Sequence, residues 1–352
     1  MNIHLHDNSA GPREAQILGL IREQRLEGTM SYHYERPKGY AAFASTQGRR
    51  FRLIEAEEAG SLLGFTQITW DEVSWNGMPL QVAYSGDTRV SLQARGKRVS
   101  DRLIHAACTL PDPVWGAVFD SNEVVLKRKL DHWRAQTVNF SVCAGLDALF
   151  FRPGGSPKIG EGLTIRRATP EDAESMFVLW RRYANDHDLT RYYDSPESFA
   201  SDLPPGTSLE TTLLVEQQGS LLAMMGLWNQ DELRKIQVDT RSRLLNWVPK
   251  FMLDLPRAGE ELRILYSYRH AWLESHPRCA TAIALLVQEA RRISGQHKRH
   301  LFCIGIDSRD PMIPVVRQGA LFTNRARVIC DPRGRQEMVF GTRPLHLEVA
   351  LG

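Results

Sequence analysis

The apolar positions of this 352-residue chain fall into alternating runs and helical stripes whose order is repeated in its second half. Ile17, Leu18, Leu20, Ile21 and Leu26 recur at helical spacing and predict an early amphipathic helix. Residues 51–57 then alternate as a strand, 58–61 make a turn, and 62–70 form a second strand. Asn76-Gly77 is a strong tight-turn pair and delivers the chain into a strand over 80–92. A helix follows over 99–108, and the nearly all-apolar run 114–119 predicts a strand buried on both faces. A further helix is expected over 123–132.

A Pro/Gly-rich stretch at 152–160 interrupts this pattern, as such clusters do between domains. Beyond it the same order returns. Residues 163–168 alternate, Thr169-Pro170-Glu171-Asp172 supplies a helix start with a carboxylate reaching back, and Met176, Phe177, Leu179, Trp180 and Tyr183 give that helix its apolar face. The strand, turn and strand over 212–228 match the unit over 54–65, with Gly219-Ser220 standing for Gly60-Ser61. Residues 262–268, 281–293 and 301–306 then predict a central strand, a helix and a buried strand, and Asp307-Ser308-Arg309 parallels Asp120-Ser121-Asn122. The expectation is two copies of one mixed α/β domain, 1–153 and 162–352; a chance likeness of two hairpins is the alternative.

Composition narrows the class. Hydrophobic residues are 42% and charged residues 24%, the balance of a globular chain, and a net charge of +3 gives no reason to expect a nucleic acid partner. No apolar run is long enough to span a bilayer, and residues 1–7 have neither the basic start nor the apolar stretch of a signal peptide, so a cytoplasmic protein without a membrane partner is expected. The five cysteines are scattered among apolar residues and read as buried thiols.

The segment 84–104 carries the chemistry. An alternating strand, Tyr84-Ser85-Gly86-Asp87-Thr88-Arg89-Val90-Ser91-Leu92, enters the basic turn Arg95-Gly96-Lys97-Arg98, which opens into a helix at Val99-Ser100. Unpaired N–H groups at a helix start, with the dipole behind them, favour a bound anion. The alternative is a solvated helix start. The segment resembles the acyl-CoA-binding motif of the GCN5-related N-acetyltransferase superfamily, Arg/Gln-x-x-Gly-x-Gly/Ala after a central strand. One register begins at Arg95 and puts Arg98 and Ser100 at small-residue positions; the other begins at Gln93 and puts Gly96 at the middle glycine and Arg98 at the final one. Residues 165–173 also resemble the way many members of that superfamily begin.

The resemblance implies an acetyl-CoA or other acyl-CoA cofactor in the first half. Val90 and Leu92 would offer backbone groups to its pantetheine, Arg95, Gly96, Lys97, Arg98, Val99 and Ser100 would hold its diphosphate, and Asn122 would stand near its thiol end. Asn122 also suits the cap of the following helix. Lys129 occupies the position where many members carry a tyrosine that protonates the departing thiolate. Acylation of an amine needs the nitrogen neutral, and Asp87, in a strand whose Gly86 suggests a bulge, is the leading candidate base. Pairing with Arg89 is its structural alternative; Tyr84 and Glu57 are further candidates. The second half has no glycine-rich turn after Tyr268, and Val316 stands at its tyrosine position, so that copy is expected to have lost the coenzyme site. Its Trp228, Trp247, Tyr266, Tyr268 and Trp272 would line an acceptor cleft or simply pack its core. The resulting expectation is an N-acetyltransferase acting on a small-molecule or peptide amine by direct attack. An inactive acyl-CoA sensor or partner-binding protein, and an aminoacyl transferase, remain as alternatives.

Overall fold

The computed structural model describes residues 1–26, 30–123, 125–129, 140–157, 162–241, 255–333 and 343–348. The first half contains β1 (Asn2–Asp7), α1 (Glu14–Glu23), β2 (Met30–Glu35), α2 (Tyr40–Ala44), β3 (Arg50–Glu58), β4 (Ser61–Trp75), β5 (Met78–Val90), α3 (Val99–Ala107), β6 (Val114–Phe119) and β7 (Ser141–Phe151). The second contains β8 (Leu163–Arg167), α4 (Ala173–Asp186), β9 (Thr190–Arg191), α5 (Pro196–Ser201), β10 (Thr212–Gln217), β11 (Ser220–Asn229), β12 (Lys235–Arg241), β13 (Ile264–Trp272), α6 (Cys279–Gln296), β14 (Leu301–Asp307), α7 (Ile313–Val316) and β15 (Phe322–Asp331).

Thirteen of these strands form one mixed sheet in the order β1-β3-β4-β5-β6-β15-β7-β14-β13-β11-β10-β8, with β9 attached to β4; β2 and β12 pair separately. The strands expected from alternation appear where the sequence placed them. The turns explain their register: Ala59 and Gly60 (φ 50 and 85), Asn76 and Gly77 (φ 52 and 78), and Gln218 and Gly219 (φ 49 and 78) are consecutive left-handed pairs, the geometry that closes a twisted two-residue hairpin.

The two halves share a further irregularity. Between Phe65 and Gln67 of β4, the partner β5 runs from Arg89 to Gly86, one residue more. Between Met224 and Gly226 of β11, β13 likewise runs from Ala271 to Tyr268. Each extra residue falls beside a left-handed position, Asp87 (φ 49) in one strand and Arg269 (φ 44) in the other.

The join between halves was not legible. β6 and β14 are apolar strands that pair in parallel with β5 and β13, respectively, and so need a partner on the other edge. Each receives the last strand of the opposite half: β15 pairs with β6, β7 pairs with β14, and β15 and β7 pair with each other. The sheet therefore continues through both halves.

In the first half, α1 and α2 pack Ile17, Leu20, Ile21 and Tyr40 on the sheet face carrying Leu53 and Phe65. The opposite face, with Ile54, Ile68, Trp70 and Ala83, receives Val99, Leu103, Ile104 and Ala107 of α3. Period-two alternation in β3 and β4 makes this possible. No helix among the described residues is long and apolar enough to cross a membrane.

Candidate active site

Strand β5 hands the chain to a single turn of 3₁₀ helix at Leu92–Ala94, then to the exposed residues Arg95, Gly96, Lys97 and Arg98. Gly96 has φ 84 and nothing within 4 Å of where a Cβ would stand. Arg98 is left-handed at φ 57 and caps α3. That conformation normally favours glycine, and it falls at the middle-glycine position of the register beginning at Arg95. The N–H groups of Gly96, Arg98, Val99 and Ser100 make no backbone hydrogen bond. Val99 is buried against the sheet, where Gly64 leaves room: a Cβ on Gly64 would meet Arg89 O at 2.5 Å and Val99 Cγ1 at 3.2 Å. Lys97 pairs across the surface with Glu58 at 3.1 Å. These residues fit an anion such as a diphosphate through backbone donors, with cationic side chains around them.

The backbone roles expected of Val90 and Leu92 change. The Val90 carbonyl accepts from the Gln24 side chain at the end of α1, and the Leu92 carbonyl accepts from Arg95 N–H at 3.3 Å. What remains toward a ligand at Leu92 is its N–H.

Strands β5 and β6 pair only at Ala83↔Val114 and Tyr84↔Trp115, then part. Gly116 permits the close approach at the vertex, where a Cβ would meet Ser85 O at 2.8 Å. Tyr84 packs on Trp115 with ring centroids 4.6 Å apart. Burial, then the charge of Asp87, pushes the Tyr84 phenol up to about 12. Both rings also wall a cavity of about 300 Å³ on the α1/α2 side of the sheet. The gap leading from the cationic turn thus ends at this cavity.

Both halves line it. Arg49, Asp71, Arg191, Asp202 and Arg269 form a belt of alternating charge: Arg49–Asp71 3.5 Å, Arg191–Asp71 2.5 Å, Arg191–Asp202 3.1 Å and Arg269–Asp202 3.5 Å. Burial raises the Asp71 carboxyl above its ordinary range despite Arg191. Burial also acts to raise Asp202, but Arg191 and Arg269 outweigh it and hold that carboxyl low. Tyr193 donates to Asp202 at 2.9 Å and accepts from Arg269 at 2.7 Å. Glu348 accepts from Arg269 N–H at 2.8 Å and sits 3.2 Å from His346. Against burial, His346 and Arg191 bring the Glu348 carboxyl down to about 2.

Asp87 stands elsewhere. Its left-handed backbone turns it toward Arg89 Nε at 3.1 Å and Arg36 Nη2 at 3.7 Å. Burial works to raise its pKa, yet Arg89, Arg36 and Arg234 hold it below the ordinary range. A carboxylate so held is a weak base, and pairing with Arg89, the structural alternative, is what the geometry shows. Asn122 is exposed and its side chain accepts from Val125 N–H at 3.4 Å, a long capping contact. Glu57 holds Gly60 N–H in its hairpin and lies 3.2 Å from His4, at the sheet edge. The Lys129 side chain, residues 130–132 of the expected helix, and Trp247 lie outside the described residues.

In the second half, α6 begins at Cys279 without a glycine turn, and Val316 is buried in the core. Trp228, Tyr266, Tyr268 and Trp272 are core residues, and Tyr268 also lines the cavity. All five cysteines are free thiols, four of them buried. Sequence reasoning missed Asp71; its signal was a carboxylate on the same strand face as Thr69 and Val73.

No protein-family model and no curated protein matches the sequence. The chain is similar in structure to N-myristoyltransferase of Saccharomyces cerevisiae with bound myristoyl-CoA, at 12% identity and TM-score 0.59, over 97% of this chain and 84% of that one. It is similar to a GCN5-related N-acetyltransferase from Sphaerobacter thermophilus at 13% identity and TM-score 0.56, over 94% and 96%. A GCN5-related glucosamine N-acetyltransferase region in a fungal multi-domain GH3 β-N-acetylglucosaminidase matches at 11% identity and TM-score 0.60, over 94% of this chain and 38% of that one. The fold is that of the GCN5-related N-acetyltransferases and N-myristoyltransferase.

Proposed function

We propose that this protein is an N-acyltransferase that moves an acyl group from acetyl-CoA or another acyl-CoA to the amine of a small molecule or peptide. Its halves, 1–153 and 162–352, act as two copies of one unit, of which only the first holds coenzyme. The observation that carries this reading is the continuity from the donor-rich turn, Gly96 to Ser100, along the parted strands to Tyr84 and Trp115 at the wall of the cavity. The coenzyme supplies an acyl thioester open to attack by a neutral amine.

The chain's own residues do the rest. The N–H groups of Gly96, Arg98, Val99 and Ser100 hold the diphosphate, and Lys97 exchanges Glu58 for it. Asp71, whose raised proton affinity suits a general base, takes the amine proton through water. Tyr84 keeps its proton at neutral pH and stands at the end of the gap, where its hydroxyl can donate a hydrogen bond to the departing sulfur. Asp87 keeps Arg36 and Arg89 in place. The carboxylates Asp71, Asp202 and Glu348 and the arginines between them offer a polar acceptor both hydrogen-bond acceptors and donors, and the ion pairs fix their orientation.

Thiol release from acetyl-CoA across a panel of primary amines tests the proposal. Asp71→Asn should lower kcat/KM by about 10²–10⁴-fold. A full rate in that variant would remove Asp71 from the mechanism, and no thiol release with any amine would remove the enzyme reading.

A further inference from the structure

Trp272 of β13 has the register position that Val90 has in β5, so the segment after it is the second half's counterpart of the coenzyme turn. Three side chains converge there: Glu274 after β13, Asp310 after β14, and His187 at the C-terminal end of α4. His187 Nε2 lies 3.0 Å from Asp310 Oδ2 and 3.4 Å from Glu274 Oε1. Its Nδ1 is 3.2 Å from the Tyr183 carbonyl oxygen, which can only accept, so Nδ1 carries the proton. In neutral His187 the Nε2 lone pair therefore faces two carboxylate oxygens. His187 and Asp310 are 0% and 1% exposed at their side chains, and Glu274 Oε1 is buried without a hydrogen-bond partner.

Three acceptors gathered within 4.8 Å of one another call for a cation or an added proton. A tetrahedral ion with bonds of about 2.0–2.2 Å separates its ligands by about 3.3–3.5 Å; His187 Nε2 lies 3.0 and 3.4 Å from the two carboxylate oxygens, and all three atoms lie within 4.8 Å of one another. The supporting shell is also present. The Nδ1 contact to a backbone carbonyl fixes the imidazole tautomer, the Tyr183 ring stacks on His187 at 3.7 Å, and Asp310 Oδ1 is occupied by Met312 N–H at 2.7 Å, leaving Oδ2 inward.

We propose that His187, Glu274 and Asp310 bind one divalent transition-metal cation of the Zn²⁺ class. The ion ties the ends of β13 and β14 to α4 and closes, in the second half, the gap that the first half leaves open.

Full-length protein stripped by a chelator and dialysed against ZnCl₂ provides the test. Metal analysis should find one Zn²⁺ per chain at this site, with a raised melting temperature. Glu274→Gln and Asp310→Asn keep size and, for Asp310, the Met312 contact; each should weaken Zn²⁺ binding at least tenfold and abolish the thermal shift. Zinc content and thermal shift equal in native protein and both variants would overturn the proposal, placing any bound metal elsewhere, for instance at His4 and His6. Absence of bound zinc in the native protein would overturn it too, leaving a protonated His187 between carboxylates.

Discussion

Replacing Asp87 by Asn separates a structural carboxylate from a catalytic one. The Asp87 side chain is 13% exposed, with Arg89 Nε at 3.1 Å and Arg36 Nη2 at 3.7 Å, while Nε and Nη1 of Arg36 have no hydrogen-bond partner. Removing one member of a buried pair costs about 3–5 kcal/mol because the other charge stays behind. Asn tolerates the left-handed backbone at this position and keeps one oxygen for Arg89, so the loss should lie near the lower end, about 3 kcal/mol. Urea unfolding followed by tryptophan fluorescence would show the midpoint fall. Adding Arg36→Met should recover at least about 1 kcal/mol, since it removes a buried guanidinium that has lost its counter-ion. The reasoning fails if Asp87→Asn leaves the midpoint unchanged while acyl transfer drops by about 10²-fold or more, the signature of a free general base.

Lys97→Ala breaks a surface pair with Glu58, worth about 0–1 kcal/mol to the free protein, yet should weaken acyl-CoA binding about tenfold to a hundredfold; equal affinity would leave Lys97 a surface residue only. Glu348 gives a pH signature. Its folded pKa is depressed, from 4.5 to about 2, so its contribution, about 3 kcal/mol, is present above pH 4.5 and lost as pH falls toward 2. Glu348→Gln should flatten the acid limb of a stability-against-pH curve over that window, and an unchanged limb would show that other groups set it.

What was legible in the sequence was local. Asn76-Gly77 announced its hairpin because both residues accept positive φ, and Gly86 announced the bulge, although the left-handed residue is Asp87 beside it. The turn from Arg95 to Ser100 was visible because strand, glycine and helix start adjoin in the chain. The acceptor side was not, because its pairs join distant positions: Asp71 meets Arg191, 120 residues away, and Arg269 meets Glu348, 79 away. The exchange of β7 and β15 escaped for the same reason, since two similar apolar strands compete for each edge and alternation does not say which wins. Of the second-half aromatics offered for an acceptor cleft or for the core, Tyr268 reaches the cavity. Trp228 and Trp272 fill the core, while Tyr84, Trp115, Tyr193 and Tyr268 share the cavity wall with the charged side chains.

Calorimetric titration of the full chain with acetyl-CoA tests the central claim most directly. The account predicts one molecule bound per chain, with affinity lost in Gly96→Val, because a β-branched side chain resists φ 84 and covers the N–H donors. Two molecules per chain, no binding, or equal affinity in the Gly96→Val variant would contradict it.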